Sequence, residues 1–160
     1  MSSNVLIFTH PAFGILAILS TVWLLVEVLN ANQNNQKRII KAAWSIAIFM
    51  TLTLLFGGQW YVTYYPVEKE IILHGPWPFA HNFFMEVKKH LFFIPLILSF
   101  YLPIVAQNNA LDENQTARKI VIALASIIIA LSLFIEGAGA VINEGAKNAY
   151  KQMNIQGDVQ

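Results

Sequence analysis

The sequence contains no cysteine. That excludes disulfides, a thiolate nucleophile, an iron–sulfur cluster, a zinc finger and a covalently attached c-type haem. It leaves the redox compartment open. Charge is scarce as well. Asp, Glu, Lys and Arg make up 12% of the 160 residues, and 10 basic against 9 acidic residues leave a net charge of +1. A soluble domain carries about twice that charged share, and a phosphate-binding protein needs basic surface to displace counterions. Neither an ordinary soluble domain nor a nucleic-acid binder fits. A disordered chain is excluded too, because 56% of the residues are apolar. We find no phosphate-binding glycine loop, internal repeat or nucleophile motif.

What is present is long apolar sequence, with a mean hydropathy of +0.54. Four runs predict transmembrane helices over about residues 5–29, 39–64, 82–106 and 118–145, followed by a polar tail at 146–160. Each run reaches the roughly 20 residues a helix needs to cross a bilayer, and only a helix satisfies its own backbone in lipid. The connections at 30–38 and 107–118 are short and polar. The connection at 65–81 is longer and carries the breakers Pro66, Gly75, Pro76 and Pro78. Short connections predict a single all-α domain, an antiparallel up-down-up-down four-helix bundle.

The first run reads as a retained helix rather than a signal peptide. Its leader has no positive charge, and its apolar stretch is about twice the usual length. Ser2, Ser3 or Asn4 is the expected cap, with Thr9 ahead of Pro11 as a later one. Lys37, Arg38, Lys41, Arg118 and Lys119 flank the two short connections and place them inside. Both termini and the 65–81 connection then lie outside, in a prokaryotic cytoplasmic membrane whose lipid is the chain's first partner.

The informative residues in such a chain are the ionisable ones, since each must be solvated, paired or useful. They gather in the outer half: His10, His81, Glu86, Lys88, Lys89, His90 and Glu136, with Gln59 at similar depth and His74 in the outer connection. Glu86 and His90 are four apart and share a helix face. His81 and His90 are nine apart and point to opposite faces of a regular helix. Gly14, Gly57, Gly58 and Gly137 thin three helices at the same level. The expectation is a polar pocket built from His10, Gln59, Glu86, His90 and Glu136.

Three functions fit that pocket. The leading one is electron transfer through a b-type haem. His10 and His90 would be its axial ligands, Lys88 and Lys89 would hold its propionates, and Gly14, Gly57, Gly58 and Gly137 would make room for it. Such a subunit would exchange electrons with quinone or a redox protein inside a larger membrane assembly. The second is a single transition-metal ion held by His10, His90, Glu86 and Glu136. The third is a small accessory subunit of a larger complex, with Glu86 paired to Lys89 or His90. Whether the chain is an enzyme stays open. The His10-Pro11 pair and His90 with its flanking lysines resemble membrane-bound b-type cytochromes. Those place histidines on several helices near both faces, so no family assignment follows. A transporter is disfavoured: Pro95 and Pro103 interrupt the third helix, but no repeat pairs the interruption.

Overall fold

A computed structural model of the chain describes residues 2–157. The elements in order are α1 (Ser3–Leu29), α2 (Gln36–Thr63), α3 (Tyr65–His74), a π-helical segment (Ala80–Met85), α4 (Glu86–Leu91), α5 (Phe93–Gln107) and α6 (Gln115–Gly157). There is no strand among the described residues. Four helical stretches are long and apolar enough to cross a membrane: Ser3–Leu29, Gln36–Thr63, Ala80–Gln107 and Gln115–Ile155. Large apolar side chains such as Phe8, Leu19, Val26, Leu55, Ile97 and Leu133 stand exposed on their flanks. That surface suits lipid rather than water.

Neighbours around the bundle are α1 with α2, α2 with α5, α5 with α6, and α6 with α1. At the end holding the 30–35 and 108–114 connections, here the loop end, Leu24, Val28, Ile39, Ile46, Leu102 and Val121 are fully buried in one cluster. Alanines let the helices close: Ala17, Ala42, Ala43 and Ala125 have no exposed surface. Polar clamps fasten this end. Asn35 Nδ2 donates to Glu27 O and Glu27 Oε2, each at 2.9 Å. Gln36 Nε2 donates to Ala106 O at 2.7 Å and Asn109 O at 2.9 Å. Glu27 lies near the end of the first apolar run, where its sequence neighbours Lys37, Arg38 and Lys41 offer a partner; it pairs with Arg38 at 2.9 Å.

The opposite end departs from the sequence reading. Residues 65–81 are not a plain loop. Tyr65–His74 form helix α3, with Pro66 in its first turn, where a missing N–H costs nothing. Proline here starts a helix instead of breaking one. The polar tail, expected to continue as an exposed helix to about Met153, does continue α6, but with Ala146 and Ala149 buried; residues 158–160 lie outside the described residues. A Cβ on Gly75 would collide with Ala149, and one on Gly145 would reach Ala80 at 2.6 Å. These two glycines let α6 seat against α3 and the turn after it. Tyr65, Ile72, Ala80, Met85, Ile142 and Ala146 form the core of this cap end.

Two local breaks shape the third span. The π-helical segment carries His81; the regular spacing assumed from sequence does not hold there. Farther on, α4 ends at Leu91 and α5 begins at Phe93. Pro95 explains this, since it cannot donate to the Leu91 carbonyl. Thr9 does not cap a helix; its hydroxyl donates to Val5 O at 2.6 Å inside α1.

Candidate functional site

Between the loop-end core and the cap lies a cavity of about 570 Å³. Its walls are mostly apolar, with Leu6, Leu54, Met85, Phe92, Phe93 and Ile142 among them. Its polar residues are His10 from α1, Thr53 from α2, Lys88 and Lys89 from α4, and Glu136 and Asn143 from α6. Glu68 of α3 reaches its cap side.

The polar groups are seated by glycines. His10 Nδ1 lies 3.0 Å from Thr53 O. A carbonyl only accepts, so Nδ1 carries the proton, and a neutral ring keeps its lone pair on Nε2. The approach depends on Gly57, where a Cβ would overlap the imidazole, coming within 2.6 Å of its Cε1. Glu136 reaches across to α1, where its carboxylate occupies the space a Cβ on Gly14 would need. Lys88 crosses to α6, where a Cβ on Gly139 would come within 2.7 Å of Nζ. Each notch is filled by a polar side chain from another helix.

This corrects the expectation that Gly14 and Gly57 leave a gap for a cofactor. The chain's own side chains take those notches. At Gly58 and Gly137 a Cβ would meet nothing within 4 Å. Gly58 lines the cavity and Gly137 does not.

The structure does not bring His10 and His90 together. His90 is exposed, and its Nδ1 donates to Glu86 O of its own turn at 2.7 Å. The reason is angular. Two residues along an α-helix turn by about 200°, so with Lys88 facing the cavity, Glu86 and His90 face away. Glu86 instead accepts from Lys89 Nζ at 2.6 Å, a pairing the accessory-subunit reading anticipated. Gln59, two residues from Gly57, is exposed for the same reason. The four-residue metal set is therefore not assembled. No group of three or more His, Asp or Glu that could hold a metal ion exists among the described residues. Of the expected pocket, only His10 and Glu136 share the cavity.

Lys88 and Glu136 feel each other's charge without closing an ion pair. Neither side chain has a hydrogen bond among the described residues. Charged groups without hydrogen bonds among apolar walls are costly, and these two close no ion pair.

The remaining histidines serve the cap. His81 is buried, and its Nδ1 lies 2.8 Å from the Tyr65 hydroxyl. Burial, and then the Glu68 charge, push the Tyr65 phenol above its ordinary range. His74 is exposed and bonds to Glu70 O at 2.8 Å. Residues that sequence reasoning missed are Thr53, which acts through a carbonyl and leaves no side-chain signal, and Glu68, which was assigned to a loop. Trp60 and Tyr61, near the end of α2, also line the cavity. No protein-family model, curated protein or solved structure matches this chain.

Proposed function

We propose that the chain is a membrane electron-transfer subunit that holds a b-type haem in the larger cavity, with His10 as its protein ligand to iron. The supporting observation is the His10 Nδ1–H bond to the Thr53 carbonyl. It fixes the ring tautomer and leaves Nε2 as the nitrogen available for a metal, as backbone carbonyls commonly do for ligating imidazoles. One imidazole suffices for haem, whereas a non-haem ion needs the set that is not assembled.

Other residues suit the same occupant. Lys88 closes no ion pair, and Lys89, which Glu86 holds by one oxygen, lines the same cavity, so propionates would find one open and one shared cation there. The wall at Gly58 leaves space for a flat ring. Apolar side chains keep water away. When bound, haem supplies a one-electron couple; the chain binds it, orients it and tunes it through the His10–Thr53 bond. In this reading the four spans cross the membrane up, down, up and down, with the cap outside. All the polar groups lie toward one end, so electrons would enter and leave on one side, through a quinone or a partner protein in a larger assembly.

The test is an absorption spectrum of purified chain after addition of haem. A Soret band that disappears in His10→Ala and persists in His90→Ala is expected. Absence of the band from the unaltered chain, or equal loss in both variants, overturns the proposal.

A further inference from the structure

A second cavity, of about 300 Å³, lies at the cap end. It shares Ile7, Trp60 and Glu68 with the larger one. Its walls bring together the aromatic side chains of Trp60, Tyr64 and Tyr150, the carboxylate of Glu68, and Ser3 and Thr63. Four separate elements supply them: the start of α1, the end of α2, the first turn of α3, and the extension of α6.

We propose that this cavity is a binding site for an organic ammonium group, such as a choline or ethanolamine head. Aromatic faces carry negative quadrupole density and attract cations, most strongly those with diffuse charge such as a quaternary ammonium. A carboxylate among the rings supplies the formal countercharge. No cation lines this cavity, so a phosphate or carboxylate is not the group it would recognise.

Two observations stand beside the lining. Glu68 is half-buried and has no hydrogen bond or ion pair among the described residues, and burial holds its carboxyl above the usual range. A cation seated beside it restores the ionised form. The indole N–H of Trp60 is also buried without a hydrogen-bond partner, a polar group at this wall that the chain leaves unsatisfied. Interfacial tryptophans and tyrosines are common in membrane proteins, but an ordinary belt turns its rings toward lipid. Here the rings wall a cavity with an acid in it.

The site makes no use of haem. Glu68 lines both cavities, whereas Tyr150 lines only this one, so the Tyr150 variants assign binding to it. The full chain in maltoside micelles is titrated with choline and with its neutral isostere 3,3-dimethyl-1-butanol, and binding is followed by saturation-transfer NMR of the methyl protons. Choline should bind about tenfold tighter than the isostere. Glu68→Gln should remove most of that preference. Tyr150 is exposed, so Tyr150→Leu keeps the test usable if the Glu68 variant fails to fold; it should weaken choline several-fold, and Tyr150→Phe should not. Equal binding of choline and the isostere, or a preference untouched by both Glu68→Gln and Tyr150→Leu, overturns the proposal. The ligand's source is read in nanodiscs. Competition by phosphatidylcholine but not phosphatidylglycerol assigns the site to a lipid headgroup, and free choline binding equally in both assigns it to a soluble cation.

Discussion

At the loop end, Ile39, Ile46, Leu102, Val121 and Ile128 close on one another with no exposed surface. At the level of His10 the same helices enclose a cavity of about 570 Å³. Small residues appear in both places, yet they do different things. Alanines at the loop end let backbones approach until apolar side chains interlock. At Gly14, Gly57 and Gly139 the notch admits a polar side chain from another helix, one per notch. Polar satisfaction differs as well. Asn35, Gln36 and Glu27 spend their hydrogen-bonding capacity on the chain itself. Lys88 and Glu136 do not. Apolar helices of similar hydropathy thus hide two kinds of interior, one closed and one holding a cavity beside charges that close no ion pair.

That contrast can be broken by substitution. The largest effect is expected from Ile46→Ala, which opens a hole in the close-packed end and should cost about 2–5 kcal/mol. Thermal unfolding in detergent measures it, and haem retention below the transition should stay unchanged. Gly57→Leu comes next. Its side chain meets the His10 ring, and overpacking of this kind costs about 1–3 kcal/mol. Gly58→Leu, whose Cβ meets nothing, is the control; equal losses from the two would remove the seating role assigned to Gly57.

Tyr65→Phe tests the cap with a smaller effect, about 1 kcal/mol for one lost hydrogen bond. It also has a pH signature. The folded phenol titrates above its ordinary value of 10.0, so the unfolded chain gives up this proton first. Stability from the neutral phenol is therefore complete below about pH 10 and lost as pH rises further. Denaturation between roughly pH 9 and 12 should show a steeper decline in the wild type than in Tyr65→Phe. The smallest change in stability belongs to Lys88→Met. Made together with Glu136→Gln it strands no charge, and replacing both members of a poorly compensated pair is often neutral or stabilising, so the melt should stay within about 1 kcal/mol of wild type or rise. Haem retention should nonetheless weaken, which separates a residue kept for binding from one kept for folding.

Much of this architecture is legible in the sequence, because lipid imposes a simple rule on length and hydropathy. The four helices follow from it, as does the pairing of Glu27 with a cation at the loop end. The depth of His10 and Glu136 was legible too, and depth brought them to one cavity. Direction was not. Whether His90 faces inward depends on which residue of α4 meets α6, and that choice is fixed by Lys88 finding the notch at Gly139. Helix α3 was obscured by Pro66, whose effect reverses between the first turn and the interior. The π-helical segment left no mark in the pattern of apolar residues. The Thr53 carbonyl belongs to every residue type alike, so no sequence could announce it.

Helix α6 runs unbroken from Gln115 to Gly157, and on it stand Glu136, Gly139, Gly145 and Ala149. The first two meet the large cavity and the last two anchor the cap, about 20 Å of helix separating the ends of that series. A continuous rod of this kind transmits displacement along its axis. Whatever tilts or presses the cap therefore also shifts Glu136, so cap and chamber respond as one mechanical part.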